Sequence, residues 1–201
     1  MTNRPIMLCL MLACACAGGC AARPASTADE GNYRTIRAEP LRDTEAAKEA
    51  NRRGLRRLDS GELDKAQAAF EQALTADVKF GPAHNNLGKV YFARKNWYKA
   101  AWEFENARKL MPRHPGPRNN LALVLERAGE LDRAVDLYRE AVGLAPDHIA
   151  YRANLTRALL KRGDRTKEVH TNLKRILEED TRTQWLIWAK QRLARIADRF
   201  E

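Results

Sequence analysis

The sequence predicts an all-α protein, an α-solenoid of stacked antiparallel helix pairs. Three observations carry that reading: a 34-residue skeleton that occurs twice in succession, apolar residues that return at three- and four-residue steps within each half of it, and turn residues at fixed places between the halves. The first copy is GPAHNNLGKVYFARKNWYKAAWEFENARKLMPRH, residues 81–114, and the second is PGPRNNLALVLERAGELDRAVDLYREAVGLAPDH, residues 115–148. Numbering each unit from one, Asn-Asn-Leu falls at positions five to seven (Asn85, Asn86, Leu87; Asn119, Asn120, Leu121). Small residues recur at eight (Gly88, Ala122), twenty (Ala100, Ala134) and twenty-seven (Ala107, Ala141). An aromatic stands at twenty-four (Phe104, Tyr138) and proline at thirty-two (Pro112, Pro146). Each half-unit is therefore an amphipathic helix. The small residues let the two helices of a pair approach closely, and the aromatic fills the gap that their crossing leaves. Proline disfavours helical geometry in the residue before it, so the second helix must stop near there.

Spacing of Leu, small residue, aromatic, Ala and Pro in this order resembles the tetratricopeptide repeat. The likeness extends upstream to residues 47–80, with Gly54, Ala66, Phe70 and Ala73 in register and Val78 in place of the proline. The turn Gly61-Glu62-Leu63-Asp64 returns as Gly129-Glu130-Leu131-Asp132 two units later. Downstream, residues 149–182 keep Asn154, Leu155 and Gly163, but Glu168, Asn172, Arg175 and Asp180 occupy the later signature places. That is a degenerate terminal unit, of the kind that keeps a solenoid end soluble. Three clear repeats, one degenerate repeat and a C-terminal capping helix are expected, since one hairpin cannot bury its own apolar stripe.

In chain order, residues 1–19 read as a signal peptide: Arg4 opens it, and residues 6–17 are an apolar run too short to span a bilayer. The run ends in Ala17-Gly18-Gly19-Cys20, which resembles the lipobox of bacterial lipoproteins. The resemblance implies cleavage before Cys20, lipidation of Cys20 and retention at the periplasmic side of a membrane. Ala21 in place of aspartate points to the outer membrane. An uncleaved anchor and an ordinary cleaved signal are the alternatives that this segment also allows. Residues 20–44 are expected to hold the lipidated cysteine and a flexible linker, with Pro24, Ser26, Gly31 and Pro40 and few large apolar residues. The solenoid spans 45–182, with helices expected at 45–59, 62–76, 81–94, 96–110, 115–128, 131–144, 149–162 and 166–179. In residues 183–201, Trp185, Ala189, Arg192 or Leu193, Ile196 and Phe200 share one face, which resembles the extra helix that caps the exposed end of such arrays.

Composition sets the function classes. All four cysteines precede residue 21, so the folded part holds neither a disulfide scaffold nor a cysteine metal site. His84, His114, His148 and His170 are the only histidines, and His114 and His148 lie one repeat apart, which suits no shared metal. No catalytic grouping, phosphate loop or nucleophile elbow appears, so neither an enzyme nor a cofactor is expected. Net charge of +10 is compatible with a basic surface facing an acidic partner, anionic lipid or nucleic acid.

The family resemblance implies that the first helices of successive units line a groove, with positions two, five, six, nine, twelve and thirteen pointing into it. The groove candidates are Asn85, Asn86, Lys89 and Phe92; Asn119, Asn120, Leu123 and Arg127; and Asn154 and Arg157, with Asn51 and Leu55 from the first unit. Asn86, Asn120 and Asn154 form a ladder whose amides can hold a peptide backbone or bridge neighbouring helices. Lys89, Arg127 and Arg157 would favour acidic groups. The clamp that grips chaperone C-terminal carboxylates is not expected, because Asn51, Leu55, Asn86, Gly116 and Asn120 match only one of its five places. The expected function is a membrane-anchored scaffold that binds a protein or peptide partner in bacterial envelope assembly, resembling lipoproteins of type IV and Tad-type pilus biogenesis. A basic module for nucleic acid or another polyanion is the alternative, although no stacking stripe supports nucleic acid. An accessory subunit of a cell-wall or polysaccharide enzyme is another.

Overall fold

The computed structural model describes residues 42–196, so the signal-peptide, lipidation and most of the linker readings, and Phe200, lie outside the described residues. Among the described residues there are nine helices and no strand: α1 Thr44–Asp59, α2 Leu63–Ala76, α3 Gly81–Ala93, α4 Trp97–Leu110, α5 Pro115–Ala128, α6 Leu131–Leu144, α7 Ile149–Arg162, α8 Lys167–Glu179 and α9 Thr183–Ala194. Each helix packs on the next in sequence, and α1, α3, α5 and α7 also pack on one another in turn. This is the expected solenoid of helix pairs.

Turn chemistry explains the boundaries. Gly61, Gly129 and Gly163, at position fifteen, adopt φ of 74°, 84° and 104° between the two helices of their pairs. Only glycine enters this left-handed region without steric cost. The second pair makes the same turn with Lys95 at φ 60°. Lys95→Gly is therefore expected to raise stability by about 1 kcal/mol, read as an upward shift in a urea melt; an unchanged or lowered midpoint would mean that the lysine carries no strain there.

Helices α4 and α6 stop just before Pro112 and Pro146. Where proline is missing, aspartate ends the helix. The buried Asp77 carboxylate accepts from Arg42 Nε at 2.9 Å, Thr44 Oγ1 at 3.0 Å and the Lys79 amide at 3.0 Å, tying the end of α2 to the start of α1. These donors, that of Arg42 foremost, hold its carboxyl below the usual range against the pull of burial. Asp180 does likewise after α8, accepting from the Arg182 amide and guanidinium, both at 2.9 Å.

The core is a row of small clusters rather than one centre. Ala66 and Phe70 of α2 meet Leu87 and Val90 of α3, and a longer cluster runs from Ala100 to Ile196. Close approach within a pair is literal: a Cβ on Gly54 would fall 2.4 Å from the Phe70 ring, and one on Gly88 2.6 Å from Phe104. The fourth pair has Asn172 where the ring belongs, and the Asn172 amide oxygen accepts from Arg152 Nη1 at 2.9 Å. Its other displaced residues work across repeats, with Glu168 taken by Arg139 and Arg175 reaching Asp147.

Candidate functional site

The first helices α1, α3, α5 and α7 share a face, and a chain of amide bonds fixes their register. Asn86 Nδ2 donates to Asn51 Oδ1 at 3.0 Å, Asn120 Nδ2 to Asn85 Oδ1 at 2.9 Å, and Asn154 Nδ2 to Asn119 Oδ1 at 2.8 Å. Each donor sits at position six and each acceptor at position five of the preceding unit, 35 residues away. One N–H of every ladder amide is thus spent on the neighbouring repeat, and Asn86 is only 6% exposed. Asn85, Asn120 and Asn154 remain half-buried; Asn120 and Asn154 keep one N–H each, Asn85 only lends its oxygen to the ladder, and each oxygen has a spare lone pair for a bound chain.

The cations separate into two kinds. Lys89 donates to Asn86 Oδ1 at 3.2 Å; burial lowers its ammonium pKa, and the Asp59 carboxylate partly opposes that. Arg127 is exposed. Arg157 differs, because its guanidinium grips Glu126 with Nε at 3.1 Å and Nη2 at 2.8 Å, while Nη1 reaches Asn154 Oδ1 at 3.0 Å. It also lies 5.5 Å from the centre of the Trp185 ring. The charge that Arg157 would offer to an acidic ligand is already paired with a carboxylate of the same face.

Glu126 is the residue that the sequence reading missed. It is 7% exposed, accepts from the Tyr138 hydroxyl at 3.0 Å, and its backbone carbonyl takes Lys161 Nζ at 3.0 Å. Burial pushes its carboxyl up, but the Arg157 bonds and charge, with Tyr138 and Lys161, outweigh burial and bring it below the usual value. Tyr138, buried and facing that carboxylate, has its phenol held far above the usual value. The signal was in the sequence: only the third unit pairs a tyrosine at twenty-four with a glutamate at twelve, and the next unit places an arginine at nine.

Leu123 and Phe92 are half-buried, and Phe92 meets Trp97 edge to face with ring centres 5.1 Å apart. Leu55, also half-buried, packs on the cluster that joins α2 and α3. At the far end, Trp185 and Trp188 meet edge to face at 5.1 Å and, with Arg157 and Gln184, line a shallow recess between α7 and α9. Both indoles pack against the long core cluster, as cap packing requires. His114 accepts from the Gly116 amide at 3.1 Å to cap α5, and His148 stacks on Tyr151 at the start of α7. Among the described residues no group of three or more metal-ligating side chains comes together, and no helix is long and apolar enough to cross a membrane.

Comparison with known proteins agrees with this geometry. A family model for the tetratricopeptide repeat matches residues 51–110 and 99–149. No curated protein matches the sequence. Among solved structures, the first tetratricopeptide domain of Spaghetti (RPAP3), bound to the HSP90 peptide SRMEEVD, is 17% identical, with a TM-score of 0.59 over 62% of this chain and 98% of that one. MamA is 22% identical, with a TM-score of 0.61 over 69% of this chain and 80% of its own. An O-GlcNAc transferase from Thermobaculum terrenum is 21% identical, with a TM-score of 0.61 over 68% of this chain but only 26% of the enzyme. At these identities the likeness establishes the fold alone.

Proposed function

Residues 51–149 belong to the tetratricopeptide repeat family, and from that premise we propose that the chain is a non-catalytic scaffold that takes an extended segment of a partner protein along the α1–α3–α5–α7 face. One observation carries the reading. The ladder amides satisfy one another between repeats, so the face is rigid before any ligand arrives, while Lys89, Leu123 and Arg127 stay exposed or half-buried along it. A preorganised surface loses little entropy on binding. Its exposed cations beside apolar side chains suit a segment with acidic and apolar residues. The peptide seated on the Spaghetti domain, SRMEEVD, has that character. The missing carboxylate clamp favours an internal stretch of the partner over a chain end.

The finer reading places this scaffold at the periplasmic side of a bacterial membrane, most readily the outer one, tethered through lipidated Cys20 and serving an envelope assembly such as pilus or secretion machinery. Its support is the sequence of residues 1–20 and the resemblance to lipoproteins of pilus biogenesis. The test is photocrosslinking from position 123, whose side chain takes no part in the ladder, in cells that express the full chain. A single partner band is expected, reduced about tenfold or more by Lys89→Glu with Arg127→Glu, since like charges replace attraction at the rim. An undiminished band in that variant would remove this face as the binding site.

A further inference from the structure

The open end of the first pair is lined with arginine where every later pair is apolar. Positions seven, ten and eleven of a first helix pack on the second helix of the preceding unit, as Leu87 and Val90, Leu121 and Val124, and Leu155 and Leu159 do. In α1 those three positions are Arg53, Arg56 and Arg57. Arg53, Arg56, Arg57 and Ser60 line one recess toward the C-terminal end of α1. Solubility at a solenoid end asks only for polar residues, and mixed charge would serve it. Among the described residues Arg52, Arg53, Arg56, Arg57 and Lys65 pair with two carboxylates, Glu49 and Glu62, and the Arg53–Glu49 and Arg56–Glu49 separations are long, at 3.9 and 3.8 Å. Positive charge is left over on the residues that line this recess, and their planar forks match phosphate oxygens.

We infer that this arginine-lined end binds the phosphate groups of an anionic lipid bilayer, so that the first pair lies against the membrane and the α1–α3–α5–α7 face projects away from it. Phosphate is the recognised chemistry. The choice of a bilayer as its source rests on the anchoring reading of Cys20, because residues 21–43, about 23 residues reaching at most roughly 75 Å, join Cys20 to the start of α1. The residues lining the recess include no aromatic on which a nucleic-acid base could stack. A basic patch beside a lipid anchor adds an electrostatic hold of its own.

The experiment is flotation of the full chain with vesicles of phosphatidylcholine alone or with phosphatidylglycerol, comparing wild type with Arg53→Gln/Arg56→Gln/Arg57→Gln. With Cys20→Ala in both proteins, so that no attached lipid masks the difference, the variant is expected to partition roughly 100-fold less on anionic vesicles, about fivefold for each arginine near a charged surface, and the two should be equal on neutral ones. The substituted side chains are exposed, so an unchanged helical spectrum and melting midpoint verify the fold. Equal partitioning of both proteins on anionic vesicles overturns the inference. So does wild-type binding to inorganic pyrophosphate or to an oligonucleotide without any preference for anionic vesicles. Loss of the chain with Cys20 intact from neutral vesicles counts against the lipid anchor instead, and the comparison on anionic vesicles still decides the role of the arginines.

Discussion

Phe104→Ala is expected to destabilise the array by about 3–5 kcal/mol, lowering its melting temperature on the order of 10 °C. The ring is 1% exposed and fills the space between α3 and α4, closely over Gly88. In a solenoid the damage spreads, because each pair is held partly by its neighbours' interfaces. The sharper test is a cycle with Gly88. A methyl added there would stand 2.6 Å from Phe104 Cε1 and 2.7 Å from Cδ1, so Gly88→Ala in the natural background should cost about 1–3 kcal/mol by overpacking. With Phe104 already removed, the same methyl enters vacated space and should cost almost nothing. The two effects would then differ from additivity by 1 kcal/mol or more, which urea denaturation resolves. Strict additivity would mean that ring and glycine do not constrain each other. The first pair offers the same test at Gly54 and Phe70, where the contact is closer still.

Local chemistry made the helix pairs legible in the sequence. Gly61, Gly129 and Gly163 mark turns because of a backbone preference, Pro112 and Pro146 end helices by sterics, and each acts within a few residues of itself. What stayed hidden depends on register between units. The Asn ladder recurs every 34 residues as a pattern, yet its bonds span 35, from position six back to position five, so periodicity alone does not reveal the partner. Asp77 ends α2 through Arg42 and Thr44, more than thirty residues upstream, and no rule for local caps anticipates that. The α1 arginines were visible as charge, but their meaning appears only when the same positions in later units prove to be buried apolar contacts.

Arg157→Met should cost about 2–3 kcal/mol at neutral pH. Removing one partner of a buried ion pair usually costs about 3–5 kcal/mol, and the Arg157 side chain keeps 31% of its surface exposed, so solvent screens part of the loss. Glu126 would be left 7% exposed in the present packing, with only the Tyr138 hydroxyl and the Lys161 ammonium still favouring its charge. The pH dependence identifies the cause. In the natural protein the folded carboxyl lies below its ordinary value, so the contribution of the pair is complete above the unfolded value of about 4.3 and is lost as pH falls through the lower folded value. In the variant burial is opposed only by the Tyr138 hydroxyl and the Lys161 charge, the two weakest of the lowering causes, and is expected to raise the folded carboxyl above that value. The penalty is then full when Glu126 is charged and is relieved as acid protonates it. The gap between variant and wild type should therefore narrow from pH 7 to pH 5, and adding Glu126→Leu should recover much of the loss at pH 7 by removing the stranded charge. A gap that is the same at both pH values would mean that lost packing, not the uncompensated carboxylate, destabilises the variant. That outcome would also free Arg157 from its assigned partner and return it to the cations available on the binding face.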